Sequence, residues 1–228
     1  NLMFDLDGVI KNNYQINGAI KKAKFNIFNQ MEIENLNLSF DISKNKLTLR
    51  KIETDFNSIK LKSPLIKIEE KKNIFFIEGR VISDQQNFDI NKLKPILGDL
   101  LNTIETEKID FNSINIFSFN INKDLKLNNL KIETNLNLKN FEIIKNPLNL
   151  KTFLPNYTEQ VKFKDHKIKI KLIKDILDVK GEGDIYIGNE LDQLSYSIIN
   201  SDGKIAFDTK INIKNNPLII NFLDYKKK

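Results

Sequence analysis

The sequence predicts a mainly β protein: a long antiparallel meander sheet, curled on itself, with one amphipathic helix. Three observations carry that prediction. Apolar and polar residues alternate in run after run along the 228 residues. Short clusters of Asn, Asp, Gly and Lys separate the runs at a spacing of about 8–12 residues, as expected of strands joined by tight hairpins. One segment alone changes to three- and four-residue steps.

Taken in order, FDLDGVI at 4–10 reads as a strand ending in an Asp-Gly turn, and NGAIKKAKFNIF at 17–28 as a glycine-led strand. Leu36, Leu38, Phe40 and Ile42 then point one way, and Asn37, Ser39 and Asp41 the other. SKNK at 43–46 and EKKN at 70–73 are turn clusters, because Asn tolerates left-handed backbone angles. In FDINKLKPILGDLLNTIETEK, Ile90, Leu93, Leu97, Leu100 and Ile104 line one face of a helix over 89–107, with Asp89 placed to cap its start. Alternation resumes at Ile114 and Ile116, at Leu136 and Leu138, and at Ile168, Ile170 and Leu172. NPLNLKTFLPNY at 146–157, with Pro147 and Pro155, connects two sheet segments. Ile185 and Ile187 follow the glycines of GEGDIYIG, then come Leu194, Tyr196 and Ile198. The last run is Ile205, Phe207, Thr209, Ile211 and Ile213, with NSDG at 200–203 before it and KNNP at 214–217 after it. The helix divides an N-terminal strand block, 1–88, from a C-terminal block, 109–228, read as segments of one continuous elongated domain.

Composition narrows the function classes. Charged residues at 29% and apolar residues at 40% describe neither a disordered chain nor a bundle of membrane helices. Without cysteine there is no disulfide, thiolate nucleophile or cysteine zinc site. The net charge of +6 is almost wholly lysine, since Arg50 and Arg80 are the only arginines. Nucleic-acid readers rely on arginine forks, so no nucleic-acid partner is expected. Position 1 is Asn, and the expectation is a window cut from a longer chain.

FDLDGVI resembles the first motif of the haloacid-dehalogenase-like phosphatases, in which Asp5 would accept the phosphoryl group and Asp7 act as general acid and base. The rest of that pattern does not follow. Behind Gly183-Asp184, Gly188 and Asn189 stand where a second magnesium carboxylate belongs, and Glu190 and Asp192 come too late. One helix also cannot supply the crossovers of a parallel sheet. His166, the only histidine, reads as a solvated residue beside a turn, without a companion histidine, cysteine or GxSxG serine. The pairs Glu69-Glu70 and Glu182-Asp184 read as solvated surface, and no phosphate-binding glycine loop occurs. The expectation is a protein that is not an enzyme and holds no cofactor or metal.

A meander of more than about ten strands must curl or split. Curling with the apolar side inward gives a filled core or an unfilled trough, and the pattern alone is compatible with either.

The stretch from Asn17 to Val81 resembles the repeating strands of the AsmA-like bacterial envelope proteins, of the YhdP and TamB type. The ending GEGDIYIGNELDQLSYSIINSDGKIAFDTKINIKNNPLIINFLDYKKK is similar to the closing segments of the same family. Strand and turn patterns carry this resemblance, over about half of the chain. It implies an open, taco-like β-groove in the periplasm of a Gram-negative bacterium, anchored in the inner membrane by segments outside this window. It also implies phospholipid or another acyl lipid as ligand, with envelope proteins as further partners. The groove wall would then comprise Leu36, Leu38, Phe40, Ile42, Ile114, Ile116, Leu136, Leu138, Ile168, Ile170, Leu172, Ile185, Ile187, Ile205, Phe207, Ile211 and Ile213. The alternative is a packed β domain that scaffolds an envelope assembly.

Overall fold

A computed structural model describes residues 14–27, 31–93, 108–143, 151–158 and 161–227. Eleven strands form one sheet in sequence order: β1 (Gln15–Ile27), β2 (Met31–Ser43), β3 (Lys46–Phe56), β4 (Ile59–Lys71), β5 (Ile74–Asp89), β6 (Lys108–Asn122), β7 (Leu127–Ile143), β8 (Val161–Ile173), β9 (Ile176–Ile187), β10 (Glu190–Ser201) and β11 (Lys204–Asn212). Two short strands, β12 (Leu218–Ile220) and β13 (Tyr225–Lys227), pair with each other. The sheet is an antiparallel meander whose ends, β1 and β11, do not meet, so it is not a closed barrel.

Tight turns explain the order. Both central residues have positive φ at Asn57–Ser58, Lys72–Asn73, Lys174–Asp175 and Asp202–Gly203. That is the two-residue turn whose twist matches the strands it joins, and each consecutive pair of strands so joined must lie antiparallel. The clusters EKKN and NSDG fall on such turns, and SKNK holds the two-residue turn at Lys44–Asn45.

Of the helix expected over 89–107, the described residues 89–93 contain no α-helix. Asp89 is the last residue of β5, and Ile90–Leu93 form one 3-10 turn. The Asp89 carboxylate does accept the Asn91 N–H, at 3.0 Å, but what it caps is that single turn. Residues 94–107 lie outside the described residues, as do FDLDGVI and the first half of NPLNLKTFLPNY. Among the described residues there is no α-helix.

The long strands do not keep one alternation throughout. Register shifts mark β-bulges in β1 between Ile20 and Ala23, in β2 around Asn35, and in β3 between Arg50 and Ile52. Lys22, Asn35 and Lys51 sit at these points with φ of 54°, 52° and 51°. Each bulge adds one residue and moves the inward set to the other parity. In β2 that set passes from Met31 and Ile33 to Leu36, Leu38, Phe40 and Ile42; in β3 it passes from Leu47 and Leu49 to Ile52, Thr54 and Phe56. Side chains take up backbone groups that the bulges free. The Asn37 side chain accepts the Lys22 N–H at 3.1 Å and donates to the Asn35 carbonyl at 2.8 Å. The Thr54 hydroxyl donates to the Glu34 carbonyl at 2.9 Å. Polar residues inside these strands therefore have a structural use.

Among the described residues, each of the four glycines inside strands lies under a ring. A Cβ on Gly18 would meet Phe40 Cζ at 2.5 Å, and one on Gly79 would meet Phe117 Cζ at 2.8 Å. A Cβ on Gly181 or Gly183 would overlap the ring of Tyr196 or His166, respectively. Gly18 and Phe40 face each other across β1 and β2, as Gly181 and Tyr196 do across β9 and β10. The bare glycine backbone accepts the ring, and the ring supplies the apolar cover that glycine lacks.

Two compact units make up the described chain. The first comprises residues up to Asp84 with Ser113–Thr134 and Lys171–Asp175; the second comprises Gln85–Asn112, Asn135–Ile170 and the chain from Ile176 onward. The cuts fall inside β5 to β9, so each unit takes a length of those strands. Among the described residues, Ile52 and Ile59 are the only buried apolar side chains of the first unit. The main buried cluster lies in the second: Leu154, Tyr157, Val161, Phe163, Ile185, Ile187 and Leu194.

Candidate functional site

The second unit holds an apolar cavity of about 530 Å³, within the range of small-molecule sites. Alternation in β7, β8, β9 and β11 supplies eight of the expected wall residues: Leu136, Leu138, Ile168, Ile170, Ile185, Ile187, Phe207 and Ile211. Its other lining residues are Ile90, Ile109, Phe141, Ile143, Leu154, Tyr157, Phe163, Val179, Leu194, Tyr196, Ile198 and Thr209. No lining residue is charged, and Tyr157, Tyr196 and Thr209 alone carry a polar side-chain atom. Such a wall can hold an apolar chain through dispersion and water exclusion, without fixing its position along the cavity.

The wall varies in depth. Ile187 and Ile185 are 1% and 5% exposed, while Phe207 lines the same cavity at 67%. Ile213 packs against the buried cluster next to it. Ile205 is 66% exposed and lies outside the cavity. Leu36, Leu38, Phe40, Ile42, Ile114, Ile116 and Leu172 belong to the first unit and so to no part of this wall. Ile116 is half exposed and borders a separate hollow with Phe117 and Gly79.

Part of the wall was hidden from a search for simple alternation. In β8 the inward set is Val161 and Phe163, then His166, Ile168 and Ile170; the change of parity falls at Asp165, whose φ is 50°. In β7 it passes from Leu136 and Leu138 to Phe141 and Ile143 across the exposed pair Lys139 and Asn140. Two adjacent polar residues between apolar runs of opposite parity were the available signal. Leu194, Tyr196 and Ile198 alternate plainly in the sequence, and the structure adds them to the wall.

His166 is not the solvated turn residue that the sequence suggested. It is fully buried in β8. Its ring stands edge-on to Phe141 and Phe163, with centroids 5.7 and 5.2 Å away, and stacks on Tyr196 at 5.9 Å. All three of those rings line the cavity. Nε2 lies 3.0 Å from the Asp184 carbonyl, which can only accept, so Nε2 carries the proton. Nδ1 has no partner among the described residues. Burial pushes the imidazole below its ordinary value, and the Asp184 hydrogen bond only partly opposes this. The residue is thus a neutral ring that packs the wall. Burial also pushes the Tyr196 phenol up to about 12, so it stays neutral as well.

Two chain segments complete this unit. Leu154 and Tyr157, from the connection before β8, enter the buried cluster. The Phe153 carbonyl accepts the Ile219 N–H at 2.9 Å, which ties that connection to β12. After β11 the chain turns sharply around Asp192. One carboxylate oxygen accepts the N–H groups of Lys214 and Asn215 at 2.7 and 2.9 Å, and the other accepts from the Asn216 side chain at 2.9 Å. Burial alone would raise this carboxyl, but the hydrogen bonds prevail and hold it below the usual range. The Lys227 ammonium then donates to the carbonyls of Ile213, Lys214 and Asn216, at 3.0, 2.5 and 3.3 Å. The closing Asp-Tyr-Lys-Lys is a clasp on the end of the unit.

Among the described residues no three His, Asp or Glu side chains gather as a metal would require. No described helix is long and apolar enough to cross a membrane. Comparison of the chain with protein-family models, with curated proteins and with solved structures found no match.

Proposed function

We propose that this chain is a lipid-binding segment of an AsmA-like envelope protein, and that the cavity of the second unit shields a phospholipid acyl chain on its way between the inner and outer membranes. The observation that carries the reading is the wall itself: twenty described residues from the turn after β5 through β11, none charged. Each methylene exposed to water costs about 0.8 kcal/mol, so a tail of roughly sixteen carbons faces on the order of 10 kcal/mol outside an apolar host. Exposed Phe207 gives the wall an open flank, through which a headgroup stays in water while the tail lies inside. A smooth wall without a buried charge suits sliding rather than tight capture.

The test is acyl loading, read by displacement of a fluorescent fatty acid and by mass spectrometry of extracted lipid. Leu138→Lys and Ile170→Lys place an ammonium on half-buried wall positions, and loading is expected to fall about tenfold or more while the far-UV spectrum is retained. Phe207→Lys is the control for folding, because a side chain 67% exposed can carry a charge there without unfolding the sheet. If Phe207→Lys folds and loads as well as the parent chain, the cavity is not a lipid site. The packed scaffold is then the better reading, favoured by the buried cluster beneath it.

A further inference from the structure

We infer that the hairpin tips along one edge of the first unit form a docking surface for an anionic lipid bilayer, with lysines meeting the headgroups and apolar tip residues entering the interface. In a meander, alternate turns lie on the same edge of the sheet. The turns β2–β3, β4–β5, β6–β7 and β8–β9 therefore share one edge, and all four belong to the first unit. Contacts on the page agree. Glu70 N–H donates to the Asn45 carbonyl at 2.8 Å, joining the first two tips. A hollow lined by Lys71, Phe76, Asn129, Lys131 and Lys174 brings the β4–β5 tip together with the remaining two.

Every one of these tips carries exposed lysine: Lys44 and Lys46, Lys71 and Lys72, Lys123 and Lys126, then Lys174. Glu69, Glu70, Asp124 and Asp175 are the carboxylates beside them, so the edge is net positive. Lys46 and Lys71 are paired with Glu69, at 3.9 and 3.0 Å. Lys72, Lys123, Lys126 and Lys174 make no ion pair among the described residues. Unpaired lysines in a row fit a surface of negative headgroups.

The same tips expose large apolar side chains. Leu125 is 82% exposed and Leu127 is 52%, both at the β6–β7 tip, and Ile74, Phe75, Phe76 and Ile173 are each over a third exposed. Leu125 is held out by its turn, not frayed. Its N–H donates to the Asn122 carbonyl at 3.0 Å, and the next N–H, of Lys126, donates to the Asn122 side chain at 2.8 Å. The described turn on the opposite edge, Asn57–Ser58, carries no lysine and is followed by buried Ile59. Four of these six exposed apolar tip residues are leucine or isoleucine, which stack poorly on bases, against Phe75 and Phe76; neither arginine stands at a tip, and the balance favours a bilayer over nucleic acid.

This surface uses first-unit residues only and does not rest on the acyl-chain reading; tip variants are expected to load fatty acid as the parent does. The experiment is co-sedimentation with phosphatidylcholine vesicles, with and without about one-third phosphatidylglycerol. Binding is expected about tenfold tighter or more to the anionic vesicles, and weaker at high salt. The double variant Lys71→Glu/Lys72→Glu should lose about tenfold or more. Leu125→Ser leaves the charge unchanged and should lose severalfold, which separates insertion from attraction alone. Unchanged melting temperatures exclude unfolding as the cause. Equal binding to both vesicles, full binding by either variant, or tighter binding to a single-stranded oligonucleotide than to anionic vesicles would overturn the inference.

Discussion

Ile52 and Ile187 are both inward isoleucines of long strands in one meander, yet they belong to differently built units. Ile187 is one of seven buried apolar residues in a cluster, and a connection before β8 and a C-terminal clasp join the strands. Around Ile52 the other described buried residues are Ile59 and the small polar Thr48, Ser63, Ser83 and Ser113. The first unit holds its strands by ladder hydrogen bonds, bulges and surface ion pairs such as Lys62–Asp84 and Lys67–Glu78. Exposed pairs of this kind contribute about 0–1 kcal/mol each. The contrast shows what a sheet needs in order to bury side chains: chain that comes over its face, not more alternation.

The largest expected difference is at glycine. In the second unit, a Cβ on Gly183 would meet the backbone Cα of His166 at 2.8 Å as well as its ring, so Gly183→Ala should cost about 1–3 kcal/mol in urea unfolding. In the first unit, Gly79→Ala meets only side-chain atoms, the tip of the Phe117 ring and Cγ1 of Ile66, which can turn aside. It should change stability by less than about 1 kcal/mol, with reduced chain entropy in the unfolded state as an offset. Equal costs would mean that the two units are packed alike.

Acid should separate the units next. The neutral form of His166 is the one that the fold accepts, so its folded value lies below the unfolded one. That contribution is complete above the unfolded value of about 6.5 and is lost as the pH falls from there through the folded value. Melting curves between pH 7.5 and 5.5 should show the second unit weakening, and His166→Phe should remove that slope. The Asp192 carboxyl is held low, so its contribution is lost only at more acid pH. A slope retained in His166→Phe would place the titrating group elsewhere.

The smallest effect concerns the bulges. Lys51 has φ of 51°, which glycine adopts without penalty, so Lys51→Gly should be neutral or stabilising by up to about 1 kcal/mol. Ser195→Gly in β10, whose pairing shows no register shift, should cost about 0.5–1 kcal/mol. Thermal melts of the two variants against the parent chain compare them directly.

Much of the fold was legible because alternation and turn chemistry are local. The runs through Leu36–Ile42, Leu136–Leu138 and Ile205–Ile211 are strands, and SKNK and NSDG are among their turns. Of the three- and four-residue steps after Asp89, only the first falls on described residues, where the chain ends β5 and makes one 3-10 turn. Eight of the twenty described wall residues were legible for the same reason that the strands were. Phe141, Ile143 and Phe163 were not, because Asp165 in β8 and the exposed pair in β7 switch the inward parity, and a search for unbroken alternation loses track there.

By itself the sequence determined an antiparallel meander, since two-residue turns and period-two patterns act over a few neighbouring residues. Only the tertiary structure decided which inward faces are covered. Whether Leu154 and Tyr157 come over the sheet, whether His166 is buried under Phe141, Phe163 and Tyr196, and whether Lys227 reaches back to three carbonyls all depend on groups distant in the chain. Burial is a property of what lies opposite a side chain, and local pattern carries no record of that.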